Sequence, residues 1–137
     1  KKIKLIQLLS EFSGEKGLLL GQYIDLSSSN TKLEERIELN QLKTGMLMSF
    51  CCQAVAICAG KSKKIEKSLA DIGMYIGEIF QINDDFEDFP DMPAKNKKFL
   101  ENYKIKLSEK IFSTFKKIHL KNKKTYLLIE FLLDLKV

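Results

Sequence analysis

A chain of 137 residues with 45% hydrophobic and 30% charged residues has the size and composition of one globular domain. Its 23 basic residues outnumber 18 acidic ones, for a formal net charge of +5, yet the lysine clusters (61–67, 95–98 and 116–124) have no stacking pattern or nucleic-acid motif beside them and read as solvated helix ends. No apolar run approaches the roughly 18 residues that cross a bilayer, and no secretory signal is visible, so neither stable membrane insertion nor export is expected.

In chain order the pattern is helical throughout. Residues 4–12 are amphipathic, and Ser13-Gly14-Glu15-Lys16-Gly17 breaks the helix before a restart over 18–26. Ser27-Ser28-Ser29-Asn30 is turn chemistry. Thr31, with Glu34 three residues on, is a capping box for a helix over 32–42, which continues or breaks near Lys43-Thr44-Gly45. Residues 46–59 are apolar around most of the circumference, which predicts a buried helix. Cys51, Cys52 and Cys58 all fall in it; their clustering suits neither a disulfide framework nor a metal site. They are expected to be buried apolar residues of a reduced, cytoplasmic protein. Gly60 ends that helix and Ser62 caps the next, predicted over 63–88. Gly73 and Gly77 lie one turn apart in it, a costly pair unless another element approaches closely. Pro90 and Pro93 end the run. Two further helices are predicted over 94–117 and 123–136. His119, set among lysines, reads as a surface residue. No strand alternation and no internal repeat is present, so the fold class is all-α in a single domain.

The most telling stretch is Phe80-Gln81-Ile82-Asn83-Asp84-Asp85-Phe86-Glu87-Asp88. Asp84 and Asp88 share a helix face, and Asp85 is rotated about 100° from Asp84. Like charges at i, i+4 repel, so the cluster makes sense once a cation neutralises it. Carboxylates without nearby His or Cys favour Mg²⁺ over zinc, and Mg²⁺ held by few carboxylates completes its shell with water and phosphate oxygens. The first reading is a Mg²⁺–diphosphate site on a helix, with Asp84, Asp85 and Asp88 as metal ligands.

Two shorter motifs precede it: Gly21-Gln22-Tyr23-Ile24-Asp25 and Lys43-Thr44-Gly45. The order G-Q-x-x-D, K-T-G, F-Q-x-x-D-D-x-x-D resembles the C-terminal half of the trans-isoprenyl diphosphate synthases, the polyprenyl synthetase family, over roughly residues 10–92. The resemblance implies the C-terminal half of an all-α isoprenoid-synthase bundle. It further implies an enzyme that condenses an allylic diphosphate with isopentenyl diphosphate through a carbocation, using Mg²⁺, as a homodimer when intact. Carried over residue by residue, it makes Asp84, Asp85 and Asp88 the second aspartate-rich motif. Lys43 becomes the contact to the allylic diphosphate, Thr44 and Gln81 the dipoles facing the allylic carbon, and Gln22 and Asp25 part of the substrate-binding wall.

Two departures stand against this pattern. No second D-D-x-x-D occurs, although the family carries an earlier one in its N-terminal half. The glycine-lysine segment and further aspartate expected after Asp88 are replaced by Phe89-Pro90-Asp91-Met92-Pro93-Ala94. A fragment with a segment missing near Met92–Ala94, or a divergent short form, accounts for both. A non-catalytic or regulatory subunit and a peptide-prenylating member are the alternative functions.

Overall fold

The computed structural model describes residues 1–27, 33–119 and 127. All regular structure among them is helical: α1 (Lys2–Ser13), α2 (Leu18–Ser27), α3 (Leu33–Asn40), a wide π-helical turn (Gln41–Gly45), α4 (Met46–Cys58), α5 (Lys63–Asp88) and α6 (Ala94–Lys117). None of these helices is long and apolar enough to cross a membrane. The Thr31 cap and the helix expected over 123–136 lie outside the described residues.

Ser62 caps α5 as the sequence suggests, its Oγ accepting the Ile65 N–H at 3.4 Å. Gly60 ends α4 with φ of 66°, a left-handed conformation that glycine adopts without strain. At the other end of α5 the Phe89 N–H bonds the Asp85 carbonyl at 3.1 Å, and the Met92 N–H turns back onto Phe89 at 3.0 Å. The chain therefore reverses directly into α6. The core lies along this antiparallel pair: Ile72, Ile79 and Ile82 of α5 against Leu100, Leu107, Ile111 and Phe115 of α6.

The helix expected over 32–42 neither stops at Lys43 nor continues regularly. Its axis passes through the π-helical turn into α4, giving one interrupted rod over 33–58. This rod packs antiparallel on α5, and Gly73 and Gly77 are the reason it can. A Cβ on Gly77 would lie 2.7 Å from the Gly45 Cα and 3.1 Å from the Thr44 carbonyl oxygen, and one on Gly73 would overlap the Met48 carbonyl. Backbone, not flexible side chain, is in the way. Gly77→Ala should therefore cost about 2–3 kcal/mol as an overpacking change, read as a lower urea midpoint; an unchanged midpoint would disprove the close crossing.

One expectation is corrected. α4 is not buried around its circumference: only Ser49, Ala56 and Ile57 are. Leu47, Cys51, Val55 and Cys58, at spacings of three and four, form an outward stripe, with Val55 66% exposed. Cys51 and Cys58 are thus exposed and Cys52 half-buried, not the buried residues their apolar setting predicts. All-round apolarity reports that a helix wants cover on every side. It does not report which sides the described residues cover, here those toward α5 and α1. α2 repeats the pattern, with Leu19, Tyr23 and Leu26 at 61%, 69% and 80% exposure.

Candidate active site

The three motifs meet where the π-helical turn crosses the last turns of α5. Gly21 explains the first residue of its motif: a Cβ there would lie 2.6 Å from the Lys43 backbone nitrogen, so glycine lets α2 lie directly on the turn. One helical turn further on, Asp25 accepts from Lys43 Nζ at 2.7 Å, both side chains about one third exposed. Gln22 lies between them in sequence on α2, half-buried. Thr44 Oγ1 donates to Gln81 Oε1 at 2.8 Å, and Gln81 is 8% exposed. Lys43, Thr44, Gln81 and Asp25 therefore belong to one bonded constellation across three helices.

The aspartates divide. Asp84 is partly exposed and Asp88 exposed. Partial burial holds the Asp84 carboxyl above its ordinary range, and Asp88, Glu87 and Asp85 push it the same way; only Lys43 pulls it down. Asp85 faces the interior at 1% exposure. One of its oxygens accepts from Arg36 Nη2 at 2.7 Å and the other from Asn40 Nδ2 at 3.0 Å. Both donors come from α3, on the face turned toward α5. Both oxygens of the Asp85 carboxylate are thus engaged by protein, whereas Asp84 and Asp88, expected with it as metal ligands, lie toward solvent. Among the described residues no three acidic, imidazole or thiol groups close around a metal position. The two crowded carboxylates of Asp84 and Asp88 still fit a hard divalent cation that takes its other ligands from water and phosphate.

Arg36 was not legible as a site residue. Its guanidinium lies 4.4 Å above the Phe89 ring, its Nε has no hydrogen-bond partner, and it is held still more firmly protonated by the bond to Asp85. It also borders a hollow of about 360 Å³ formed with Leu33, Asp88 and residues 89–93. A signal was present: of 23 basic residues it is the sole arginine, against 22 lysines. A planar fork that pairs with a carboxylate while stacking on a ring is a task lysine cannot perform. A second buried group, Glu78, was also missed. At 2% exposure it accepts from Tyr103 Oη at 2.7 Å and Gln41 Nε2 at 3.2 Å.

Residues 1–126 match the Polyprenyl synthetase family. The farnesyl diphosphate synthase of Buchnera aphidicola is 33% identical over 132 residues, covering 93% of this chain and 47% of that protein. Among solved structures, an FPP/GFPP synthase from Zymomonas mobilis superposes with a TM-score of 0.70 at 32% identity, over 83% of this chain and 44% of its own. A geranyltransferase from Helicobacter pylori reaches a TM-score of 0.80 over 96% and 50% at 24% identity, a likeness of fold. The chain thus spans about half the length of the relatives it matches.

Proposed function

Since the chain belongs to the polyprenyl synthetase family, we propose that it forms the C-terminal wall of a prenyl diphosphate synthase, the wall on which an allylic diphosphate ionises. The observation that carries this reading is the bonded constellation of Lys43, Asp25, Thr44 and Gln81 beside the Asp84–Asp88 face. Ionisation breaks the allylic C–O bond and leaves its electron pair on diphosphate. Lys43, oriented by Asp25, keeps further N–H donors for the departing oxygens and stabilises their charge. Thr44 spends its hydroxyl hydrogen on Gln81, so its lone pairs remain for the electron-poor carbon. Such dipoles favour the cation, and Gln22 completes the wall above them. The isopentenyl double bond then attacks the allylic carbon, and released diphosphate takes the proton lost from the new C–C unit. Asp84 and Asp88 would hold Mg²⁺, which when bound supplies positive charge against the leaving group. Asp85 keeps its place in this scheme by fixing the end of α5 rather than by ligation.

The exposed stripes on α4 and α2 support the other half of the proposal. They are the surface on which the remaining helices of the bundle pack, in a cytoplasmic homodimer whose opposite wall bears the other metal-binding carboxylates. Thiols at Cys51, Cys52 and Cys58 accord with a reducing compartment. The chain alone should then self-associate at micromolar concentration, because large apolar patches rarely stay uncovered. With Mg²⁺, isopentenyl diphosphate and an allylic diphosphate it should form no prenyl product, whereas the chain joined to the complementary half should. Robust product from the chain alone, or none from the joined protein, would overturn the reading.

A further inference from the structure

We propose that Glu78 and Tyr103 are positioning residues that set the π-helical turn, and with it the aim of Lys43 and Thr44; the consequence for ligand binding rests on the diphosphate reading above. Three observations carry it. First, Glu78 is a carboxylate at 2% exposure whose bonds are to a phenol and an amide, not to a cation. Desolvation is costly for such a group, and burial does raise its pKa, against the pull of Tyr103 and Gln41. Second, its bonds are not distributed around the core. One oxygen takes Tyr103 from α6 and Gln41 from the first position of the π-helical turn. Third, Tyr103 is itself held in place, its ring stacked on Phe99 with centroids 6.5 Å apart and planes within 9°.

The arrangement explains how an irregular turn is kept. A π-helical turn gives up regular α-helical bonding and persists only where its surroundings impose it. Gly45 and Gly77 bring its last residue against α5, and Thr44 is held by Gln81. The first residue is held by Glu78 through Gln41. The turn is thus clamped at both ends onto α5, and Lys43 lies between the clamps. α6 contributes no residue to the constellation, but through Tyr103 it braces the carboxylate that holds Gln41.

The test separates positioning from ordinary core packing. Glu78→Leu replaces the group by an apolar residue of similar volume, which removes its buried charge but leaves the Tyr103 hydroxyl and the Gln41 amide without their acceptor. Expected is a small fall in melting temperature, together with amide hydrogen exchange over 41–45 at least ~10-fold faster and a markedly smaller change over the α5–α6 core. Glu78→Gln, which keeps a carbonyl oxygen for both donors, should restore slow exchange. Tyr103→Phe, which deletes one hydroxyl, should give an intermediate acceleration and serves if Glu78→Leu does not fold. In parallel, Mg²⁺ with inorganic pyrophosphate is titrated into each chain while the Lys43 and Thr44 amide resonances are followed; Glu78→Leu should weaken the response ~10-fold or more and Glu78→Gln should not. Unchanged exchange over 41–45 in Glu78→Leu and Tyr103→Phe overturns the positioning role, as does a loss of protection spread over α5 and α6. If the unaltered chain gives no pyrophosphate response, the diphosphate reading of Lys43 fails, and the exchange measurement still decides the role of Glu78.

Discussion

Asp84→Ala should leave a folded protein that no longer makes product. Asp84 is partly exposed at the end of α5, and partial burial, Asp88, Glu87 and Asp85 push its carboxyl above the ordinary range. Removing that carboxylate relieves like-charge crowding worth a few tenths of a kcal/mol, so the melting temperature of the metal-free chain should hold or rise slightly. The sign follows from the raised pKa. A carboxyl easier to protonate when folded contributes stability at low pH that is lost as pH rises through its folded pKa, and at neutral pH its charge works against the fold. Activity should move the other way. In the chain joined to its complementary half, loss of a metal ligand at a site stabilising developing charge should cost more than ~10³-fold in turnover, since the metal supplies several kcal/mol of transition-state stabilisation. Circular dichroism and product formation from an allylic diphosphate check the two halves of the prediction. Near-normal turnover would refute the assignment of Asp84.

Asp85→Ala, one residue along, should fail in the opposite manner. Its carboxylate is 1% exposed and is the acceptor for Arg36 and Asn40. Truncating it strands a guanidinium whose Nε is already without a partner and leaves the Asn40 amide, on a residue only 4% exposed, without its acceptor. Breaking a buried pair from one side costs about 3–5 kcal/mol, a large share of the stability of a domain this size. Arg36→Ala should be comparably damaging, because it leaves the buried Asp85 side chain without its partner and removes the stack on Phe89. Urea unfolding reads both. A double replacement with apolar residues that fill the volume should recover much of the loss, since such exchanges of buried pairs are often neutral. If Asp85→Ala unfolds at the same urea concentration as the parent while losing its Mg²⁺ response, Asp85 is a ligand after all and the division of the motif is rejected.

The contrast between these neighbours marks how far the amino-acid pattern reached. The helices were legible because apolar spacing, the Ser62 cap and the Pro90–Pro93 stop each act locally; α5 begins and ends at the residues those signals indicate. The meeting of Thr44 with Gln81 was legible because antiparallel packing brings the start of the apolar run 46–59 beside the end of 63–88; Asp25 entered only through the family resemblance. The rotation of Asp85 away from Asp84 followed from helix geometry alone. Which of the two faced inward did not, because that depends on α3 crossing α5 at Arg36 and Asn40, residues with no motif of their own. The same reason hid Glu78, whose meaning comes from Tyr103 in another helix. The outward stripe of α4 was illegible for a different cause: hydrophobicity records what a surface prefers, not whether the described residues supply it.

The π-helical turn also makes the site sensitive to how the chain is wound in a way that residue identity does not capture. A turn of this kind holds one residue more than the regular helix around it. Were 41–45 to wind as regular α-helix with all of its residues kept, everything upstream would rotate by about 100° relative to α4. Arg36 and Asn40 would swing off Asp85, and α2, which rests through Gly21 on the Lys43 backbone, would lose its seat. The turn acts as a vernier between two helical registers: α4 is phased to lie on α5 and α3 to reach Asp85, and a single extra residue reconciles the two.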